Sequence, residues 1–174
     1  MFQPDADLLR LDAVSPEGGA LTVVLSTIQT APCCPQCGAP AARVHSGYVR
    51  APADLPCGGV PLRLVIHTRR LHCDQASCPR RIFTERLPGV LQPYARHTRR
   101  LAEALQAVAH ALGGKAGARL ADRLGINTSR DTLLRRLTEA PPAAAVVPRV
   151  LGVDDWAKRK GQEYGTILVD LERR

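Results

Sequence analysis

Cys34-Pro-Gln-Cys37-Gly38 and Cys73-Asp-Gln-Ala-Ser-Cys78-Pro79 are the two stretches that decide the fold of the first half of the chain. Each is a knuckle, a tight turn that aims two thiolates at one point, and the glycine after Cys37 tolerates the backbone conformation that such a turn requires. Two knuckles supply four sulfurs at about 2.3 Å from a zinc ion, the closed tetrahedral geometry of a structural site. Residues 38–72 between them are strand-like, as in a zinc ribbon. The sequence therefore predicts structural Zn²⁺ held by Cys34, Cys37, Cys73 and Cys78.

Other assignments of the cysteines and histidines stay open at this point. Cys33 competes with Cys34, although only Cys34 has the CxxC spacing, and Cys57 lies in a predicted loop as a non-ligand. A redox CxxC normally occurs in a βαβ context, which is not predicted here, and disulfides are disfavoured in a cytosolic protein. Because a small β module with few aromatic residues has little core, bound metal is expected to supply much of its folding free energy. The histidines that could replace a thiolate are His45, His67 and His72.

The charge of the chain is concentrated in its middle. The 174 residues carry a formal charge of +8, and residues 60–136 alone hold 15 basic and 5 acidic side chains. Such a basic segment attracts a polyanion, although a solubilising surface has the same composition. Aromatic residues make up only 3% of the chain, which argues against a stacking platform for single strands. A membrane span and a signal peptide are not expected, so a cytoplasmic protein is predicted.

The hydrophobic pattern predicts an α+β protein of several modules. Strand-like stretches at 8–14 and 20–28 form a hairpin, 43–50 is a further strand, and 62–72 alternates apolar with polar residues. The Pro/Gly-rich segment 51–61 is predicted to be irregular. The predicted divisions are an amino-terminal β-hairpin at 1–30, a zinc ribbon at 31–88, a helix-turn-helix DNA-binding domain at 96–138, a linker at 139–149 and a β-hairpin at 150–174.

Three helical patterns predict a DNA-binding unit. The first ends at Gly113-Gly114, and two shorter ones cover 115–124 and 129–137. Ala121 and Gly125 have the A-x-x-x-G spacing of helix-turn-helix units, in which the glycine is expected to supply the left-handed turn residue. A plain trihelical bundle with a charged exterior is the alternative. The predicted core residues are Leu120, Leu124, Ile126, Leu133, Leu134 and Leu137, and Thr128 or Ser129 is expected to cap the last helix. Asn127, Ser129, Arg130 and Thr132 are predicted nearest the bases, and Arg119, Arg123, Arg135 and Arg136 nearest the phosphates.

Several stretches together resemble the insertion-sequence transposases of the ISL-three (ISL3) family. They are CPQCG, RVHSGYVRAPADLP, RRLHCDQASCPRRIFTERLPG, ALGGKAGARLADRLG and GVDDWAKRKGQEYGTILVDLERR, in family order from about residue 30 onward. The resemblance implies a zinc ribbon, a helix-turn-helix that binds double-stranded DNA at the terminal inverted repeats of the element, and an RNase H-like DDE core. It also implies that the β-hairpin at 150–174 is the start of a truncated RNase H-like core. A homo-oligomer is compatible with this reading.

The resemblance also implies that Asp154, expected at the end of a first core strand, is a catalytic carboxylate, with Asp155 as the neighbouring alternative. Asp170, predicted to close the second strand, has no assigned role. Strand cleavage needs two divalent metals held by three carboxylates, so Mg²⁺ would serve only a full-length core. The chain ends soon after Asp154 and is therefore expected to be an amino-terminal fragment that binds DNA without cutting it.

Two other functions compete with the transposase fragment. The first is a stand-alone zinc-dependent DNA-binding regulator in which residues 150–174 form a structural tail. The second is a protein-interaction zinc module whose charge serves only solubility. A steep loss of DNA affinity with rising salt would argue against the second.

Overall fold

The computed structural model describes residues 7–139, 147–159 and 161–172, which fall into two compact units, Met1–Ala140 and Pro141–Arg174. Both α and β structure are present, as the sequence predicts. The first unit contains strands β1 (Leu9–Glu17), β2 (Ala20–Thr27), β3 (Val44–Arg50), β4 (Ala53–Cys57), β5 (Val60–His72) and β6 (Ile82–Thr84), and helices α1 (Arg99–Arg123) and α2 (Arg130–Glu139). The second unit contains strands β7 (Leu151–Arg159) and β8 (Glu163–Asp170). Neither helix in these ranges combines the length and apolar character that a membrane crossing requires.

Strand β5 organises a six-stranded sheet in the first unit. β3 and β4 follow each other along one edge of β5, both antiparallel to it. On the other edge, β2 pairs parallel with β5 over Leu62–His67, and β6 pairs antiparallel with its end. The amino-terminal hairpin β1–β2 therefore shares the sheet of the zinc-ribbon strands. A strand as long as β5 is required because it pairs with four others.

The predicted strands around 8–28, 43–50 and 62–72 are confirmed, but two strands were missed. β4 lies inside the segment 51–61, which the sequence predicted to be irregular, and β6 is only three residues long. Local composition disfavours a strand at ADLPC, which contains a proline. It becomes extended because the edge of β5 offers it hydrogen-bonding partners, a non-local cause that outweighs intrinsic propensity.

One face of the sheet is buried and the other carries charge. Along β5 the side chains of Leu62, Leu64 and Ile66 are at most 6% exposed. Arg63, which lies between two of them, and His67, which follows Ile66, are exposed, because successive residues of a strand point to opposite faces. The core that covers the inner face consists of Leu9, Val23, Leu25, Leu62, Leu64, Ile66, Leu87 and Leu91.

The core of the helical part contains only some of the residues that the sequence predicted. α1 is interrupted by Gly113, whose φ of 66° and ψ of −161° are not helical, at the position where the sequence predicted the first helix to stop. Ile126 and Leu133 are buried as predicted, and Leu137 packs against them. The prediction was wrong for Leu120, Leu124 and Leu134, which are 38%, 48% and 45% exposed. Their places are taken by Leu101, Leu105 and Ala109 of the first part of α1, together with Ala121.

Small residues explain why α2 lies so close to α1. A Cβ added at Gly117 would lie 2.9 Å from Leu133 Cδ1, and one at Gly114 would lie 3.0 Å from Leu134 Cγ. Leu133 itself is fully buried. The two helices therefore approach closely at Gly114 and Gly117, and an alanine at either position would require side chains of α2 to move.

A buried carboxylate joins the sheet to the helices. Asp54 of β4 has a fully buried side chain, and its oxygens accept hydrogen bonds from Thr98 Oγ1 at 2.6 Å and from Arg100 Nε and Nη2 at 2.6 and 2.5 Å. Thr98 is also the N-cap of α1, because its Oγ1 accepts from the backbone N–H of Leu101. Main-chain bonds from Ala53 N to Arg96 O and from Thr98 N to Ala53 O complete the junction. The start of α1 is thus fixed to β4.

The second unit is a two-stranded antiparallel hairpin, as the sequence predicted for 150–174. β8 ends at Asp170, as predicted, but Asp154 does not end its strand: β7 continues to Arg159. Asp154 pairs with Ile167 and Asp155 with Thr166. The prediction placed the end of β7 too early because two adjacent acids resemble a strand end. In the hairpin both acids instead lie within β7, where each is paired with a residue of β8.

Candidate metal centre and nucleic-acid interface

The two knuckles bring four thiols together. Cys34, Cys37, Cys73 and Cys78 each offer one sulfur, and all four sulfurs lie within 4.8 Å of one another. The sulfurs of Cys37 and Cys73 are 3.6 Å apart. Four sulfurs at about 2.3 Å from a central zinc ion would be about 3.8 Å from each other, so the cluster has the size of a tetrahedral site. The four cysteines are therefore positioned for metal binding.

Backbone hydrogen bonds shape each knuckle. At the first knuckle the N–H of Cys34 donates to Ala39 O, and the N–H of Gly38 donates to Cys34 O, both at 2.8 Å. Gly38 has a φ of +75°, which a residue with a Cβ rarely adopts, so the glycine is required where the chain turns. At the second knuckle Cys78 N donates to Gln75 O at 3.0 Å.

Apolar residues enclose the cluster on its inner side. Leu71 and Phe83 are at most 2% exposed and pack with Ala41 against the buried cysteines. Of the four cysteines, Cys37 is the exposed one. A site with three buried thiols and one exposed thiol, that of Cys37, is suited to a structural metal ion enclosed by the two knuckles.

The protonation of the thiols is strongly interdependent. Burial raises the pKa of Cys34, but hydrogen bonds from the backbone N–H groups of Cys37 and Gln36 and from the thiols of Cys73 and Cys37 together outweigh burial and lower that pKa to about 7. At Cys73 the backbone N–H of Gln75 lowers the pKa, but burial and the neighbouring thiols outweigh it and raise the pKa to about 12. The pKa of Cys78 is raised as well, so one thiolate forms readily while Cys73 and Cys78 hold their protons. A cation at the centre would remove the repulsion that keeps the others protonated, so metal binding must release protons.

The alternatives to this ligand set are not part of the cluster. Among the residues that the structure describes, the group of four cysteines is the only set of three or more metal-binding side chains brought together. Cys33 is exposed and points to the carbonyl of Ala31, and Cys57 is exposed in β4. The rings of His45 and His72 contact each other edge to face with centroids 5.0 Å apart.

The residues predicted to contact DNA surround α2 and the turn before it. Ser129 is the N-cap of α2, because its Oγ accepts from Thr132 N at 3.1 Å; Thr128, the other predicted cap, has a buried Oγ1 without a hydrogen-bond partner in the described ranges. Gly125 has a φ of +79°, the left-handed turn conformation that the sequence predicted. A Cβ there would lie 2.5 Å from the carbonyl oxygen of Gly59. The side chains of Arg119, Arg123, Asn127, Ser129, Arg130 and Arg135 are exposed, and those of Thr132 and Arg136 are half-buried.

Several of these side chains already have intramolecular contacts. Arg130 Nε donates to Asp131 Oδ1 at 3.0 Å. Arg136 Nη2 lies 3.5 Å from Nδ1 of His97. Burial, followed by the charges of Arg136 and Arg135, lowers the pKa of His97, so this imidazole stays neutral beside the two guanidinium groups.

The acidic residues of the hairpin do not converge on one point. Successive residues of a strand point to opposite faces, and directly paired residues share a face. With Leu151 paired to Asp170 and Asp155 paired to Thr166, Asp155 and Asp170 share one face while Asp154 lies on the other. Asp155 is held by a hydrogen bond from Thr166 Oγ1 at 2.9 Å. The hairpin alone therefore does not form a two-metal site.

Sequence reasoning missed two buried carboxylates. Asp54 is described above; Glu85, also fully buried, accepts from Arg69 Nη2 at 2.6 Å and from Thr27 Oγ1 at 2.5 Å. Both lie in stretches that carry the family resemblance, Asp54 in RVHSGYVRAPADLP and Glu85 in RRLHCDQASCPRRIFTERLPG, but neither belongs to a periodic pattern. Their burial follows from the strands β4 and β6, which the sequence did not predict.

The fold and the cysteine cluster define the first unit as a zinc-ribbon protein with an attached helical part. Residues 30–78 match the family described as zinc-finger of transposase IS204/IS1001/IS1096/IS1165, the zinc ribbon of ISL3 transposases. The chain is 33% identical over 166 residues to the transposase for insertion sequence element IS1001 of Bordetella parapertussis, covering 92% of this chain and 39% of that protein. No solved structure matches.

Together the two matches support a relationship of this chain to the ISL3 family of insertion-sequence transposases. The chain spans 39% of the length of the curated relative that it matches. The family match coincides with the geometry, because residues 30–78 contain all four clustered cysteines.

Proposed function

We propose that this chain is a DNA-binding part of a DDE-type transposase and that its helical part binds duplex DNA at the terminal inverted repeats of an insertion sequence. The observation that carries the proposal is α2: a helix capped by Ser129, preceded by the turn at Gly125, and bordered by exposed basic side chains. In a helix-turn-helix, the amino-terminal residues of the second helix contact base edges in the major groove.

The helix-turn-helix in this proposal consists of the part of α1 after Gly113 and of α2. The non-helical backbone at Gly113 separates this part from the preceding one, so that three helical segments pack around Leu105, Ala121 and Leu133. Close packing at Gly117 fixes the angle between the last two segments. Asn127, Ser129, Arg130 and Thr132 then lie at the end of α2 that would enter the groove.

Charge supports DNA rather than a protein as partner. Residues 60–136 carry a net charge of +10, since they include 15 basic and 5 acidic side chains. Three of those five acids, Glu85, Glu103 and Asp131, pair with arginines of the same segment. The excess of basic side chains supplies the phosphate attraction that dominates DNA affinity and makes it dependent on salt. Arg119, Arg123, Arg135 and Arg136 are proposed to contact phosphates.

Zinc has an indirect role in this function. The ion would hold the ends of β5 and the first knuckle together, and the sheet built on β5 carries Asp54, which fixes the start of α1. The four cysteines lie apart from α2 in sequence and belong to a different hydrophobic cluster. Zinc is therefore proposed to stabilise the support of the DNA-binding helices and not to contact DNA.

Asp154 is proposed to be a catalytic carboxylate of the transposase core. Its hairpin does not complete a Mg²⁺ site, because Asp154 and Asp170 lie on opposite faces and the described residues hold no cluster of carboxylates suited to metal. Two-metal cleavage needs three convergent carboxylates. The residues present here are therefore proposed to bind DNA without cutting it.

A salt titration of binding to a 40-bp duplex tests the proposal. The parent protein should lose affinity steeply with salt, and Arg135→Ala should reduce the slope of log K against log salt by about 0.9, the value for one phosphate contact. Arg10→Ala is the matched control, because Arg10 lies in the amino-terminal hairpin and pairs with Asp12 at 2.9 Å. Equal slopes for parent and Arg135→Ala would contradict the assignment of Arg135, and no binding by the parent would contradict the function.

A further inference from the structure

A second basic surface lies on the zinc ribbon, outside the predicted helix-turn-helix. This ribbon groove encloses about 300 Å³ between β3, the end of β5 and the segment around β6. The residues that line it are Tyr48, Arg50, Arg70, Arg80, Ile82, Phe83, Thr84, Arg86 and Tyr94. Four of the nine are arginines, and none of these lining residues is acidic.

The arginines of the ribbon groove are differently engaged. Arg70 stacks on the ring of Tyr48, with its guanidinium carbon 5.1 Å from the ring centroid. Arg80 is exposed and Arg86 is half-buried, and within the described ranges the side chain of neither has an ion pair or a hydrogen bond. Their charges are therefore not neutralised by the protein itself. Uncompensated guanidinium groups in a concave surface attract an anion with several oxygens.

The ribbon groove continues into the surface beside α2. A second groove of about 640 Å³, the helix groove, is lined by Pro93, Tyr94, Ala95, Arg96, His97, Thr132, Arg135 and Arg136. Tyr94 lines both grooves, so they meet at this residue. Thr132, Arg135 and Arg136 are among the residues proposed above to contact DNA. A duplex that lies against α2 would therefore have the ribbon groove next to it.

Tyr94 is held in an unusual position. Its side chain is 94% exposed, and its φ of 60° is the only positive φ of a non-glycine residue in the described part of the chain. Arg50 fixes this loop, since its Nη2 and Nη1 donate to the carbonyl oxygens of Ala95 and Gln92 at 2.8 and 3.3 Å. A tyrosine kept in solvent by a braced loop contributes little to the core. Its hydroxyl is a donor of the kind that contacts DNA phosphates.

We infer that the ribbon groove binds the phosphate backbone of the same DNA duplex that α2 contacts, through Arg80 and Arg86, with Tyr94 at the boundary between the two contacts. The inference rests on the proposed DNA-binding function and extends it: the zinc ribbon is itself part of the DNA-binding surface. Because phosphate contacts carry no sequence information, the groove adds affinity and orientation and leaves sequence recognition to α2.

The test compares the double variant Arg80→Ala/Arg86→Ala with the parent in salt titrations on a 40-bp duplex. Loss of two phosphate contacts should reduce the slope of log K against log salt by about 1.8 and weaken binding equally on all sequences. Arg81→Ala is the matched control, since Arg81 is an exposed neighbour that does not line the groove. Adding Arg135→Ala should bring the reduction to about 2.7, because distant contacts add.

Each other outcome overturns the inference in a recognisable way. If the double variant keeps the slope of the parent while Arg135→Ala lowers it, the groove is refuted and the proposed function stands. If Arg81→Ala causes the same loss per arginine, net charge and not the groove is responsible. Tighter groove-dependent binding of a single-stranded 40-mer than of the duplex would refute the duplex as ligand. If the parent binds no duplex, both proposals fail. Unchanged zinc content and melting of each variant confirm that it is folded.

Discussion

The junction at Asp54 allows a quantitative prediction. Asp54→Ala removes a fully buried carboxylate that accepts hydrogen bonds from Thr98 and, through two nitrogens, from Arg100. Removing one partner of a buried pair costs about 3–5 kcal/mol, because the other partner is left desolvated. Since the side chain of Arg100 is 35% exposed, water can solvate part of its charge. The expected loss in free energy of unfolding is therefore about 3 kcal/mol.

The effect should be confined to the contact between sheet and helices. Asp54 does not belong to the cysteine cluster, so the zinc content of Asp54→Ala should equal that of the parent. Thr98 should still cap α1 through its bond from Leu101 N, but the bond from Thr98 Oγ1 to the sheet is lost. Urea denaturation followed by the helical circular dichroism signal measures the loss directly.

Asp74→Ala is the matched control for this experiment. Asp74 pairs with Arg43 on the surface, where both side chains are more than half exposed. Exposed pairs contribute about 0–1 kcal/mol, so the control should stay within about 1 kcal/mol of the parent. If Asp54→Ala and Asp74→Ala destabilise the protein equally, the argument that a buried carboxylate fixes the start of α1 is wrong.

Three further perturbations have expected outcomes. Cys37→Ser should abolish the binding of about one zinc per chain and unfold the ribbon, whereas Cys57→Ser should leave metal content and melting unchanged; elemental analysis of both proteins checks this. Gly125→Ala should cost more than about 2 kcal/mol, because it adds a clash with the backbone to the cost of a positive φ, while Gly58→Ala meets only the latter; thermal melts should rank them in that order. The neutral form of His97 is favoured in the folded state, so its contribution to stability is present above the unfolded pKa of about 6.5 and is lost as the pH falls below that value. His97→Asn should remove this part of the acid sensitivity, and equal pH dependence of parent and variant in urea melts would show that His97 is not responsible.

The metal site could be predicted from the sequence because its geometry is local. A knuckle is a turn of a few residues, and the spacing of its cysteines fixes where two sulfurs point before any tertiary contact forms. The strand pattern of 62–72 was equally clear, since Leu62, Leu64 and Ile66 alternate with charged residues. The left-handed conformation of Gly125 was also predicted, from the spacing to Ala121 within the same short segment.

The helical core was predicted only in part, because amphipathic periodicity does not say which of two apolar stripes a neighbour covers. Leu120 and Leu124 have the correct spacing, but α2 packs on the side of Gly114 and Gly117, where the backbone permits a closer approach. The strand limit at Asp154 failed for a similar reason. Pairing with β8 continues through both Asp154 and Asp155. The local sequence of β7 does not show how far this pairing with another strand extends.

What the sequence determined by itself is therefore the chemistry that depends on a few adjacent residues: four thiols in two knuckles, a basic middle segment, and a turn that needs glycine. What only the tertiary structure decided is every feature that joins distant segments. β4 exists because β5 lies beside it, Asp54 is buried because α1 begins over it, and Tyr94 links two grooves because Arg50 holds its loop. The physical reason is that hydrogen bonds between distant residues and burial depend on which surfaces meet, and that is settled by the packing of the whole unit.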